Sequence, residues 1–230
     1  MSTFLSGLSS SIGRKMLMAF TGLAMSFFLV VHLIANLLLF LSNPDPYNAY
    51  SHALFQFGGL LIAAEFVLIA FLVLHVISAI RVIRSKSKAR PEAYKVNARA
   101  GAPGRKTLSS TTMIFSGVAL LVFIILHLKT YKYGTWYTTT VDGVEMRDLY
   151  RLVYLSFQNP AMVVGYVAFM AILGFHLFHG VWSAFQSLGL HGPKFTPFIQ
   201  TVGFVLAMIL AAGFLVMPVW IYINPLGVAL

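Results

Sequence analysis

The sequence contains no cysteine, and only 10% of its 230 residues are charged, six of them acids. Without thiols there is no disulfide, no thiolate ligation of an iron–sulfur cluster, no thioether-attached haem and no cysteine nucleophile. A soluble domain carries about 25% charged and roughly 45–50% apolar residues. Here apolar residues reach 59% and the mean hydropathy is +0.84. So few charges cannot cover a water-facing surface, which excludes a soluble enzyme, a nucleic-acid-binding module and a disordered chain. The composition is that of an integral membrane protein. The scarcity of acids leaves a net charge of +10. No short apolar stretch followed by a small-residue cleavage site opens the chain, so the first apolar run, preceded by Arg14 and Lys15, reads as a retained span.

A helical span needs about 20 predominantly apolar residues. Five stretches satisfy this, at about residues 16–41, 57–80, 109–128, 161–186 and 198–222. They predict one all-α transmembrane domain over residues 1–230, a five-helix bundle. The connections differ in charge. Residues 42–56 hold no Lys or Arg and open on the turn signal Asn43-Pro44-Asp45-Pro46. Residues 81–106 hold nine basic residues and one acid, Glu92. Residues 129–159 hold four basic residues and three acids. Residues 187–197 hold Lys194, and His191 in a Gly-containing turn. Twelve of the 16 basic residues thus fall on one side. The positive-inside rule places that side, with the N-terminus, in the cytoplasm and the C-terminus outside. A basic cytoplasmic face suits anionic lipid or an acidic partner chain.

Five of the seven histidines lie inside spans: His32, His75 and His127 in the first three, His176 and His179 in the fourth. Ionisable residues within a bilayer are costly, so each is a functional candidate. One alone is as readily an interhelical hydrogen bond; one on each of four consecutive helices is harder to ascribe to packing. At about 1.5 Å rise per residue, His32 and His127 lie about 6 and 12 Å outward of mid-span. His75 lies about 9 Å, and His176 and His179 about 4 and 8 Å, toward the cytoplasmic side. Two layers result, one pair in each, drawn from helices 1 and 3 and from helices 2 and 4. Imidazoles facing across an apolar bundle core suit bis-histidine b-type haem. Copper or zinc would want three or four ligands at one point. Small residues lie near each histidine: Gly22 and Ala35 on the His32 helix, Ser78 and Ala79 after His75, Gly117 before His127, Gly174 and Gly180 around His176. His176 and His179 share a face, so depth leaves both open as the fourth ligand.

Ser10-Ser11-Ile12-Gly13-Arg14-Lys15, Thr21-Gly22, His32-Leu33-Ile34-Ala35-Asn36-Leu37 and Phe175-His176-Leu177-Phe178-His179-Gly180-Val181-Trp182 resemble the cytochrome b558 subunit of succinate dehydrogenases and fumarate reductases. The five-helix plan, charge layout and histidines match the dihaem, single-anchor type over essentially the whole chain. The resemblance implies two haem b groups. The outer is ligated by His32 and His127. The inner is ligated by His75 and His176, the histidine four residues before Gly180. It also implies a peripheral fifth helix and a place in the bacterial cytoplasmic membrane. The implied task is electron transfer between an iron–sulfur subunit and membrane quinone, with menaquinone the expected substrate. The dicarboxylate site would sit on a flavoprotein subunit. Nothing in this chain suits flavin, so both partners would be separate chains, in a complex able to form higher oligomers. Some fumarate reductases of this type carry a glutamate two residues before the fourth ligand; here that residue is Gly174.

The remaining intramembrane polar residues give secondary expectations. Glu65 is the sole carboxylate within a span, readable as a proton relay to an outer quinone site or as a protonated group bonded to a neighbouring helix. Tyr50, His52 and Gln56 at the outer start of helix 2 are candidates to line that site, or interfacial residues of an aromatic belt. Lys129 and Lys132 are candidates for outer haem propionates, and Arg81 and Arg84 for inner ones; each also reads as a snorkelling side chain. Two rival readings are another dihaem quinone-linked membrane cytochrome and a proton-coupled transporter with histidine relays.

Overall fold

The computed structural model describes residues 10–88, 108–190 and 192–225. His191 and most of the basic loop that the charge count singles out lie outside the described residues. Five helices are long and apolar enough to cross a membrane: Ser11–Phe40, Gly59–Ser85, Thr112–Lys132, Pro160–Ser187 and Phe195–Ile223. In chain order the elements are α1 (Ser11–Asn36), α2 (Asp45–Gln56), α3 (Gly59–Lys88), α4 (Leu108–His127), β1 (Thr138–Val141), β2 (Val144–Arg147), α5 (Leu149–Phe157), α6 (Pro160–Ser187) and α7 (Phe195–Ile223). Helices α1, α3, α4, α6 and α7 are the spans.

Local chemistry sets the ends. The Ser10 hydroxyl accepts from the Gly13 amide and opens α1. Asn159 caps α6 by accepting from the Ala161 amide, and Pro160 fills the first helical position. At the turn before α2, the Asn43 side chain accepts from the Asp45 amide. Past His127, α4 widens into a π turn, Leu128–Lys132. Gly134 follows because any Cβ there would run into the Thr130 carbonyl.

The two connections opposite the basic loop fold into a cap at one end of the bundle. The sequence shows only turns there; the structure shows a third kind of element, short amphipathic α2 and α5 flanking a hairpin. Asp142 and Gly143, with φ of 51° and 78°, make the tight two-residue turn between β1 and β2. Helix α2 packs on β2 and α5, and α5 packs on the end of α7. Tyr47, Asn48, Tyr150, Tyr154 and Phe157 are buried in this cap. Burial holds the Tyr47 and Tyr150 phenols well above the ordinary tyrosine range, so both stay neutral. Their hydroxyls serve as donors, Tyr47 to Asn36 Oδ1 and Tyr150 to the Leu41 carbonyl.

Among the spans, α1 packs against α3 and α6, α4 packs against α6, and α7 packs most extensively against α6. Helix α7 thus packs mainly on one span, α6, and less on α1. α7 is the most deeply buried span, while the central stretch of α3 has no buried residue. The reason is side-chain size. In lipid, helices associate through close packing rather than the hydrophobic effect, and small residues allow it. A Cβ on Gly174 of α6 would lie 2.8 Å from the Ala211 Cβ of α7. A Cβ on Gly213 would lie 2.8 Å from Leu33 of α1. Helix α3 packs on α1, where Gly22 makes room for it, and exposes Phe66, Val73 and Ile77 elsewhere.

Candidate functional site

All four span histidines predicted as ligands, His32, His75, His127 and His176, are half-buried on helices that face one another. Their environments share one feature. In each, the ring Nδ1 is met by a polar group, which leaves Nε2 for another partner. His75 Nδ1 donates to the Met18 carbonyl at 3.0 Å and lies 3.3 Å from Thr21 Oγ1. The Thr21 hydroxyl already donates to the Leu17 carbonyl at 2.8 Å, so toward His75 it acts as an acceptor. His176 Nδ1 lies 3.0 Å from Ser116 Oγ, whose own proton goes to the Met113 carbonyl. Both arrangements put the ring proton on Nδ1 and the lone pair on Nε2. That is the state in which imidazole ligates a metal while a second group fixes its tautomer and orientation.

The outer pair differs, because the Asn36 amide nitrogen can only donate and so meets the Nδ1 lone pair of His32. His127 Nδ1 is 3.3 Å from the Tyr166 hydroxyl. His32 Nδ1 is 3.5 Å from the Asn36 amide nitrogen, which also donates to the His32 carbonyl at 2.7 Å. The two rings are 5.9 Å apart between centroids, with planes at 83°. A metal–imidazole bond is about 2 Å, so two imidazoles trans on one ion hold their ring centres roughly 6 Å apart. Aromatic side chains wall this pair. Phe28 stacks on His32 at 5.4 Å, Phe214 of α7 lies 5.8 Å from it, and Phe123 and Tyr131 lie against His127.

Glycines make room for the inner pair, and they do so across helices. A Cβ on Gly22 of α1 would stand 3.1 Å from His75 Cε1, and one on Gly117 of α4 would stand 3.6 Å from His176 Cε1. The sequence associates Gly22 with His32 and Gly117 with His127, their neighbours in the chain. In three dimensions each serves the histidine of the adjoining helix. No ring hydrogen bond orients His179 among the described residues, which separates it from His176. Gly174 faces Ala211 at a separation that admits no side chain, so a carboxylate at that position would force α7 away.

Among the described residues, no three His, Asp or Glu side chains converge as a metal-ion site. Imidazoles in pairs would suit a haem, which would supply one-electron redox chemistry, better than a tetrahedral ion, which wants three or four ligands at one point. Thr21, Ser116, Tyr166 and Asn36 are the ring partners that the sequence did not single out as such. Their signal is present in principle: a hydroxyl or amide in an apolar helix at the depth of a histidine on the next one.

The secondary candidates are distributed differently. Glu65 of α3 forms an ion pair with Lys132, at the end of the π turn after α4. Lys132 is thus taken by a carboxylate of the chain itself rather than left for a haem propionate. Lys129, Arg81 and Arg84 are exposed, with no carboxylate partner among the described residues. His52 Nε2 lies 3.0 Å from the Gln56 amide nitrogen one turn on, and Tyr50 is 36% exposed. No hydrogen bond joins the His52–Gln56 pair to the Glu65–Lys132 pair among the described residues. Comparison with protein families, with characterised proteins and with solved structures found no match for this chain.

Proposed function

We propose that this chain is the dihaem membrane-anchor cytochrome b subunit of a succinate:quinone oxidoreductase or quinol:fumarate reductase, passing electrons between an iron–sulfur partner and membrane quinone. The observation that carries the proposal is four imidazoles on four membrane spans, each with Nδ1 met by a polar group; on the inner pair that group is an acceptor, which leaves the Nε2 lone pair to ligate. His32 and His127 would hold the outer haem, and His75 and His176 the inner one. Bound haem iron supplies reversible one-electron transfer, and two histidines on each iron leave no open position for oxygen chemistry. Met18, Thr21 and Ser116 fix the inner rings, and Asn36 and Tyr166 meet the outer ones.

The basic end, with Arg14, Lys15, Arg81 and Arg84, would be cytoplasmic and would dock the iron–sulfur subunit, which in turn carries the flavoprotein. The quinone, menaquinone in this reading, would react at the opposite end near Glu65. A reduced-minus-oxidised spectrum with haem quantification on the purified chain tests the reading. Two haem b per chain is the expected result; a chain without a visible chromophore overturns it.

Glu65→Gln should slow quinone turnover by at least about tenfold, the scale of a lost proton carrier. Haem content, and dicarboxylate oxidation with artificial acceptors, should be unchanged. Because Glu65 is paired with Lys132, Lys132→Gln is the control. It breaks the ion pair and keeps the carboxylate, so it should leave turnover nearer to the parent rate. Equal losses in both variants would assign the pair a bracing role between α3 and α4 and remove Glu65 from the chemistry.

A further inference from the structure

At the capped end a cleft of about 370 Å³ opens between α2 and the hairpin, lined by His52, Phe55, Trp136, Glu145 and Arg147 among others. Arg147 is its unusual member. It is only 6% exposed, yet no carboxylate pairs with it; the one ion pair among the described residues is Glu65–Lys132. Its guanidinium lies 4.7 Å over the Trp136 ring, one terminal nitrogen donates to the Thr135 carbonyl at 3.5 Å, and Nε has no partner. Burial draws its pKa below the usual value, a sign that the charged form is held at a cost. A buried cation is normally paired, because desolvation is otherwise uncompensated. A guanidinium with free donors matches a phosphate oxygen pair best.

Two further features narrow the occupant. Glu145 sits two residues before Arg147 on β2, hence on the same face of the strand, and is exposed with no ion pair among the described residues. The surroundings are those of the lipid headgroup level. Phe55, Trp136 and Tyr133 are 49%, 60% and 75% exposed, as in an interfacial aromatic belt. A neutral quinone ring would leave the Arg147 charge without a counter-ion, and a purely anionic headgroup would meet the Glu145 carboxylate.

We infer that this cleft binds the headgroup of a zwitterionic phospholipid, with phosphate on Arg147 and ammonium toward Glu145, while the acyl chains run down past Phe55. The site is independent of the haem reading, since lipid occupancy is measured without redox chemistry. The test is native mass spectrometry of the delipidated full chain in detergent, titrated separately with dioleoylphosphatidylethanolamine, dioleoylphosphatidylglycerol and inorganic phosphate. The ethanolamine lipid should bind severalfold more tightly than the glycerol lipid, and inorganic phosphate should not compete at equal concentration. Arg147→Gln should weaken the ethanolamine lipid by about tenfold or more, the scale of one lost charge-assisted hydrogen bond. Glu145→Gln, an exposed substitution that leaves the fold intact, should erase the preference between the two lipids. Equal affinity for both lipids in the parent chain would overturn the inference. So would undiminished binding in Arg147→Gln, or displacement of the lipid by a short-chain quinone.

Discussion

His75→Ala and His176→Ala should each yield a chain with one haem b in place of two, and the lost haem should be the same in both. His32→Ala and His127→Ala should each remove the other. The effect should be all-or-none, because on the proposed ligation each pair would hold one iron and the two pairs lie at different depths. The retained haem reports on folding: its unshifted absorption band shows that the bundle has assembled, so loss of its fellow reads as loss of a ligand. His179→Ala should keep both, because no hydrogen bond orients its ring as Ser116 orients His176. Ser116→Ala and Thr21→Val should be milder. Removing such a supporting group weakens ligation by roughly 10–100-fold in metal sites, so a shifted inner midpoint potential and partial haem loss are expected. A ligand variant that retained two haems with unchanged spectra would refute the assignment of that histidine.

Asn48→Leu should cost about 2–5 kcal/mol of stability, read as a lowered melting temperature of the purified chain in detergent. Asn48 has no exposed surface. Its amide donates to Asp148 Oδ1 at 2.9 Å, and its oxygen accepts from the Tyr150 amide at 3.0 Å. Asp148 is the cap of α5 and accepts from the Arg151 amide on the same oxygen. One side chain of α2 therefore satisfies both the cap residue and a first-turn amide of a helix a hundred residues away. First-turn amides have no partner within their own helix. Leucine is similar in size and fills the space, but it leaves a buried amide unsatisfied and a carboxylate with one donor fewer. Each such group costs about 1–3 kcal/mol. Faster hydrogen exchange should be confined to residues 138–157, and an unchanged melting point would show that Asn48 is not the pin. The consequence reaches the candidate site: α2 carries Tyr47, whose hydroxyl donates to Asn36 beside His32. A loosened cap should broaden the outer haem signal before the inner one.

The spans and the two-layer spacing of the histidines follow from the sequence alone. Both depend on one-dimensional quantities: the run of apolar residues needed to cross a bilayer, and a fixed rise per residue. The charge asymmetry of the loops is one-dimensional too. Who stands beside whom emerges only in three dimensions. Gly22 and Gly117 are neighbours of His32 and His127 in the chain but make room for His75 and His176 in space. Lys132 turns out to belong to Glu65. Arg147 looks like an ordinary loop cation until its burial without a carboxylate is seen. The fifth helix is held against α6 by the close approach of Gly174 and Ala211, and Gly213 lets Leu33 of α1 reach it. The reason is common to all four. Hydropathy and helical rise measure position along the membrane normal. Contacts depend on the rotation of each helix about its axis and on which helices adjoin. Those are set by side-chain sizes on two elements at once, which no single stretch of sequence contains.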